Sequence, residues 1–214
     1  MLKTAGSEVE DYITTVYRLE EVYGVARTVQ VARELGVTPA TASKMLEVIE
    51  KRGLAVRTKY RGVRLTDDGR RAAEEIIRRH RVAEAFLSKL IGMDLVSSHV
   101  YAHKFEHMPD EIVQRIFELI GRPTRCPHGN PIPGAEAEAE GGVMRLSDVE
   151  ADEYVVVRLA GELLEPLKEA VRAGLEPGAK VRVIERSRDK LKLEVAGREV
   201  TIPRRTAETI FVAR

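Results

Sequence analysis

Residues 31–54 read VARELGVTPATASKMLEVIEKRGL, and this stretch decides the fold of the first third of the chain. Gly36-Val37 makes a tight turn after a short helix that runs from Val29 to Leu35, with Thr28 as its cap. Thr38-Pro39 opens the next helix, since Thr is a good N-cap and Pro is tolerated at the first helical position. That helix turns Met45, Leu46 and Ile49 inward and stops at Gly53. Two short runs of β-type residues follow, 54–58 and 63–66, around Tyr60-Arg61-Gly62, and read as a hairpin. Upstream, Ser7-Glu8-Val9-Glu10 has the form of a capping box with Ser7 as N-cap. Val9, Tyr12, Ile13, Val16, Tyr17 and Leu19 then mark one face of a first helix.

Two helices joined by a tight turn, followed by a hairpin, predict a winged helix-turn-helix. The N-terminal end of 39–52 would meet base edges in a major groove. Small or hydroxylated side chains there (Thr38, Ala40, Thr41, Ala42, Ser43) permit close approach, and Lys44 reaches further. The hairpin is basic: Lys51, Arg52, Arg57, Lys59, Arg61 and Arg64 occur with no intervening acid. A wing that follows the phosphate backbone needs this charge, because phosphate contacts supply most of the affinity. The candidate DNA contacts are Arg27, Thr38, Pro39, Ala40, Thr41, Ser43, Lys44, Lys59, Arg61 and Arg64. The competing reading is a small helical bundle with a solvated hairpin.

The whole chain has 214 residues and a net charge of +1, which hides an uneven distribution. Residues 1–73 hold 13 bases against 10 acids, whereas 74–142 hold 8 against 11, so the positive end coincides with the helix-turn-helix. A single cysteine, Cys126, excludes a disulfide framework or a Cys-rich zinc module. No long apolar run suggests a membrane span or a signal peptide, and the expected location is cytoplasmic.

A long helix is expected from Asp67 to Ile91, then helices over 95–107 and 110–120. Residues 121–142 are rich in Pro and Gly, contain AEAEAE, and read as a linker. Short strands follow at 154–158, 180–185, 191–195 and 199–202, with a helix near 162–173, as in a small β-barrel. The expected fold class is therefore α+β and multidomain. The expected divisions are 1–73 (DNA-binding), 74–142 (helical, with the linker) and 143–214 (β-barrel).

All five histidines fall between residues 80 and 128. His99, His103 and His107 recur at i, i+4 and i+8, which places them on one helix face if the helix is continuous. Glu106 lies beside them, and His80 and Glu84 make a second i, i+4 pair. Imidazole and carboxylate donors converging from two helices suit Mn(II), Fe(II), Co, Ni or Zn. No thiolate is counted in the set, which argues against Cu(I). His128 sits in the Pro/Gly loop and reads as structural. His103-Lys-Phe-Glu106-His107 also matches the H-x-x-E-H pattern of some metallopeptidases, which is the enzyme alternative. A metal-independent winged-helix regulator is the other alternative.

Taken together, EDYITTVYRLEE (10–21), the helix-turn-helix 31–54, RRHRVAEAFL (78–87), HKFEHMPDEI (103–112) and CPHGNPIPG (126–134) resemble the diphtheria-toxin-repressor family of iron- and manganese-dependent transcriptional regulators. The resemblance implies a homodimer that represses transcription from a palindromic operator when metal is bound. It implies a helical dimerisation domain and a C-terminal SH3-like (FeoA-like) barrel. It further implies two metal sites per chain, a primary one at Asp11, His103, Glu106 and His107 and an ancillary one at His80, Glu84 and His99. Arg81 and Asn130 match positions that hold an anion, where Cys126 stands in place of a serine. Some members add a carboxylate from the barrel, for which Glu162 and Glu165 are the candidates. Asp11 follows the manganese pattern. His103 follows neither the iron nor the manganese pattern, so Fe(II) and Mn(II) both remain expected metals, with Co, Ni and Zn as surrogates.

Overall fold

The structure is a computed structural model that describes residues 5–136 and 141–214, with side chains from Glu8 onward. It divides into two compact units, residues 1–78 and 79–214. Among the described residues, no helix is long and apolar enough to cross a membrane.

The first unit contains α1 (Ala5–Tyr23), α2 (Thr28–Glu34), α3 (Pro39–Lys51), the hairpin strands β1 (Ala55–Thr58) and β2 (Gly62–Leu65), and the start of α4 (Asp67–Lys89). α1 begins at Ala5, so Ser7 lies inside its first turn and is not the N-cap that the capping-box pattern suggested; its side chain lies outside the described residues. Thr28 is the first helical residue of α2, and Arg27 is the cap. The Arg27 backbone N–H donates to Gln30 Oε1 at 2.9 Å. At α3 the sequence signal holds. Thr38 Oγ1 accepts from the Thr41 backbone N–H at 3.1 Å, with Pro39 at the first helical position. α3 buries Ala42, Leu46 and Ile49, and each of the two large side chains contributes about 1.5–3 kcal/mol relative to exposure.

The hairpin is fixed to the rest of the unit by backbone pairing. Ala26 N–H donates to Val63 O at 3.0 Å, and Val63 N–H donates back to Ala26 O at 2.8 Å. The neighbouring Gly62 has φ +116°, and a Cβ there would fall 2.5 Å from Ala26 O, so only glycine permits this third-strand contact. Glu20 of α1 accepts from Leu65 N–H at 2.8 Å and pairs with Arg70, which ties α1 to β2 and to the start of α4.

The second unit begins within α4 and continues through α5 (Leu95–Ala102), α6 (Asp110–Leu119), β3 (Met144–Arg145), β4 (Glu153–Leu159), α7 (Leu164–Arg172), β5 (Lys180–Arg186), β6 (Lys190–Val195), β7 (Arg198–Pro203), α8 (Arg204–Ala207) and β8 (Ile210–Ala213). The strands form one antiparallel sheet in the order β3-β8-β4-β5-β6-β7. Alternate residues of each strand, such as Val181 and Val183 or Leu191 and Leu193, fill its core with Leu167 of α7. The sequence reading did not include β3, β8 or α8.

α5 is shorter than expected. It ends at Ala102, and His103 is its C-cap. Beyond it the bonds tighten to i→i−3, with Lys104 N–H on Tyr101 O at 3.0 Å and Phe105 N–H on Ala102 O at 2.9 Å. The i, i+4, i+8 spacing of His99, His103 and His107 is therefore not one helical face.

The segment expected to be a linker is largely built into the fold from Arg125 to Ile132. Cys126, His128, Asn130 and Ile132 are buried. Cys126 N–H donates to Asn130 O, Leu159 N–H donates to His128 O, and Asn130 Nδ2 donates to Leu159 O at 2.7 Å. Of the acidic run, residues 137–140 lie outside the described residues. Gly129 makes the close approach to β4 possible: φ is +85°, and an added Cβ would lie 2.3 Å from Val157 O. Gly129→Ala should therefore lift the loop from β4 and lower the stability of this unit by more than the roughly 1–2 kcal/mol of left-handed strain alone. Urea unfolding of the two proteins checks this; an unchanged midpoint would mean the loop does not depend on that contact.

Candidate metal centre

α4 presents His80 and Glu84 one turn apart, α5 presents His99, and the turn after α5 presents His103 and Glu106. His80, Glu84 and His99 are buried, as is Glu106, while His103 is more open. The His80 Nδ1–H donates to Glu106 Oε1 at 2.8 Å, and His103 Nδ1 reaches the same oxygen at 2.9 Å. If a bound metal takes the place of a second proton on His80, the Nδ1–H stays on Glu106 and the lone pair of Nε2 faces inward. Nε2 lies 2.9 Å from Glu84 Oε1 and 3.0 Å from His99 Nδ1, and His99 Nδ1 lies 2.9 Å from Glu84 Oε1. Three electron-rich atoms in a triangle this tight repel one another unless a proton or a cation lies among them. The triangle suits a divalent ion with nitrogen and oxygen ligands, and Glu106 serves as the outer carboxylate that orients an imidazole.

Glu84 faces a second set of donors with its other oxygen. Oε2 lies 3.2 Å from His128 Nδ1, and beyond that ion pair this buried oxygen accepts no hydrogen bond. Cys126 Sγ is 3.7 Å from His128 Nδ1 and 3.5 Å from Glu162 Oε1. One ligand atom from each of Glu84, Cys126, His128 and Glu162 can be chosen so that all lie within 4.8 Å of one another, and the same holds for His80, His99 and His103. Glu162 is held by Arg81 Nε at 3.0 Å and Asn130 Nδ2 at 2.8 Å. The barrel carboxylate thus occupies the positive pocket that the family pattern assigns to an anion. Glu165 is exposed and paired with Lys168.

The electrostatics follow from burial and charge. Burial pushes the Glu84 carboxyl up, but the positive charge of His128 and His80 outweighs it and holds the group well below the usual range. Burial works against a charged His128, yet Glu84 raises it. Burial pushes the Cys126 thiol well up, and the carboxylates of Glu84 and Glu162 add to this, so the thiol keeps its proton in the metal-free chain. A metal ligated by Cys126 would displace that proton.

The structure thus brings together His80, Glu84, His99, His103 and Glu106, residues that the family pattern divides between two sites. Two readings change in geometry: His128 is buried against Glu84, and the Cys126 thiol is grouped with Glu84, His128 and Glu162. His107 lies exposed in the turn and falls in neither group. Asp11 is half-buried on α1 in the first unit, where its carbonyl accepts from Thr15 Oγ1 at 2.7 Å. Because 103–107 is a turn, the H-x-x-E-H match lacks the helix that such a peptidase motif requires.

On the DNA-binding side, Arg27, Thr38, Pro39, Ala40, Thr41, Lys44, Lys59, Arg61 and Arg64 are exposed. Ala42 is not: it is fully buried in the core. Ser43 is half-buried and accepts from Arg57 at 3.3 Å, so it orders the wing as well as facing outward. Tyr60, which the sequence reading placed in the hairpin turn but not among the DNA contacts, stands at the wing tip with 95% of its surface exposed and Lys59 over its ring.

A helix-turn-helix with a basic wing, in a chain that also gathers two clusters of metal-type donors, defines a metal-dependent DNA-binding transcriptional regulator. Comparison with known proteins agrees. Residues 5–63 match the family profile "Iron dependent repressor, N-terminal DNA binding domain", 66–134 match "Iron dependent repressor, metal binding and dimerisation domain", and 144–214 match the FeoA domain. The chain is 32% identical over 197 residues to the diphtheria toxin repressor of Corynebacterium efficiens, covering 86% of this chain and 85% of that protein. It is 30% identical to the iron-dependent repressor IdeR of Mycobacterium tuberculosis, covering 96% of each. Among solved structures it is similar to IdeR of T. acidophilum (TM-score 0.83, 29% identity, 100% of this chain and 99% of that one). It is also similar to the manganese regulator SloR (TM-score 0.80, 25% identity, 96% and 98%). The chain belongs to the iron-dependent repressor family.

Proposed function

We propose that the chain represses transcription of metal-homeostasis genes, binding a palindromic operator as a homodimer when Fe(II) or Mn(II) occupies the centre built on Glu84. The observation that carries this reading is the triangle of His80 Nε2, His99 Nδ1 and Glu84 Oε1, with edges of 2.9, 3.0 and 2.9 Å. Bound there, a divalent ion supplies fixed positive charge where the metal-free chain needs shared protons. His80 is oriented for it by Glu106, and Glu84 is already ionised. His103, Glu106 and His107 with Asp11 form the primary set that the family pattern assigns; Asp11, on the first unit, enters through that pattern alone. Apolar side chains left exposed on the helices of the second unit, Leu90, Ile91, Val100, Tyr101, Ile112 and Leu119, are available to the interface of a twofold dimer. A twofold dimer reads a palindrome.

Affinity for an operator selected from random DNA should rise about 5–150-fold when Fe(II), Mn(II) or Co(II) is added to the metal-free protein, and by linkage DNA should tighten metal binding by the same factor. DNA binding indifferent to every metal would leave a metal-independent winged-helix regulator instead. The wing makes its own prediction. Arg61→Ala or Arg64→Ala should weaken binding to operator and random DNA alike, and each lost phosphate contact should flatten the slope of log K against log salt by about 0.9. An unchanged slope in both variants would remove the wing from the backbone.

A further inference from the structure

Glu84 stands between two sets of donors that differ in kind. Its Oε1 faces two imidazole nitrogens, of His80 and His99, at 2.9 Å each. Its Oε2 faces the ring of His128, with the Cys126 thiol and the Glu162 carboxylate grouped behind it. All six residues are at most 4% exposed. A carboxylate whose two oxygens each head a separate donor set, with no water-accessible side, is the geometry of a bridging ligand rather than of a ligand to one ion.

We propose that Glu84 bridges a pair of divalent cations, one held by His80 and His99, the other by Cys126, His128 and Glu162. This rests on the metal-dependent reading above and deepens it. The two positions are chemically unlike. The first offers nitrogen and carboxylate oxygen, which accept Mn(II) or Fe(II). The second adds a thiolate, which favours Fe(II), Co(II) or Zn(II) over Mn(II). Filling the thiolate position releases the Cys126 proton and the proton that His128 Nδ1 holds toward Glu84, and neutralises negative charge from Glu84, Glu162 and the new thiolate. Filling one position fixes the Glu84 carboxylate for the other, because its plane is then set. The pair should therefore fill cooperatively, and the occupied centre would join α4 and α5 to the loop 126–131 and to the turn that carries Glu162 after β4.

Cobalt(II) titration of the full-length metal-free protein tests this, read by metal content, by the thiolate-to-cobalt charge-transfer band and by magnetic susceptibility. Expected is a band that appears with two cobalt ions at this centre, and a susceptibility below the sum of isolated ions, as a carboxylate bridge produces. Cys126→Ser should lose the band and one ion. His99→Ala should keep the thiolate ligand but weaken the cobalt that gives the band by about 10–100-fold, through loss of the partner that orients Glu84. Glu84→Gln, close in shape but unable to bridge as an anion, should lose the magnetic coupling. Magnetically independent ions in the wild type overturn the bridge, whether or not the variants fold. A band of wild-type affinity in both His99→Ala and Glu84→Gln also overturns it. Absence of any cobalt uptake would instead overturn the metal-dependent reading itself.

Discussion

Glu106→Ala is expected to abolish the metal response of DNA binding while leaving metal-free DNA binding in place. The Glu106 carboxylate accepts from His80 at 2.8 Å and from His103 at 2.9 Å, so one truncation removes the partner of two imidazoles. His80 then loses the hydrogen bond that places its proton on Nδ1 and its lone pair toward Glu84. Loss of such an orienting partner typically weakens metal binding about 10–100-fold, and Glu106 is in addition a member of the primary set that the family pattern assigns. The whole coupling factor of about 5–150-fold should disappear. α3 and the wing lie in the first unit and contain none of these residues, so affinity for random DNA and its salt dependence should match those of the metal-free wild type. Operator titration with and without Mn(II) or Co(II) makes the comparison. A metal response that survives in Glu106→Ala would remove this carboxylate from the control of DNA binding.

The parts of the fold that were legible in the sequence depend on local signals. Thr38-Pro39 starts α3 and Gly53 follows its end within a few residues of chain, and the basic hairpin is defined by its own alternation and its lack of acids. His80 and Glu84 are i, i+4 on a strongly periodic helix, so their pairing needed no tertiary knowledge. The rest depends on contacts distant in sequence. Arg81 meets Glu162 across 81 positions, and Cys126 meets Glu162 across 36. Nothing in a Pro- and Gly-rich stretch distinguishes a slack linker from a loop packed against a strand. A signal was available: Cys126, His128 and Asn130 alternate in a segment otherwise made of turn formers, and alternation implies one common face. At α5 the sequence misled for a physical reason. Three histidines at helical spacing imitate a stripe, but the chain tightens after Ala102, and His107 ends exposed while Glu106 turns in. β3 and β8 escaped notice because strands of two and four residues are too short to show a period of two.

Arg81→Met should be the most destabilising single change in the second unit, at about 3–5 kcal/mol. Arg81 is 1% exposed, donates to Glu162 Oε1 at 3.0 Å and donates to Pro131 O at 2.8 Å. Met fills a similar volume, so the loss is electrostatic rather than a cavity. It leaves Glu162 buried with Asn130 and the Cys126 thiol as neutral partners and removes the Arg81 donor from the Pro131 carbonyl. The burial of an uncompensated carboxylate dominates, which gives the prediction an internal control. Adding Glu162→Gln to Arg81→Met removes that charge and should recover more than half of the loss, although each change alone deletes a hydrogen bond. A packing explanation makes the opposite forecast, with the two losses adding. Urea unfolding of the metal-free proteins separates the two, and additive losses would show that Arg81 acts by shape and not by charge. Divalent metal supplies a further check. If Glu162 ligates a cation, saturating metal provides the positive charge that the variant lacks. Ligand binding at about 100 times the dissociation constant stabilises by about 2.7 kcal/mol, and the variant, with a carboxylate unopposed by Arg81, should gain more than the wild type. The stability gap between them should therefore narrow in metal. A gap of the same size with and without metal would place Glu162 outside the ligand set and leave it as the arginine's partner only.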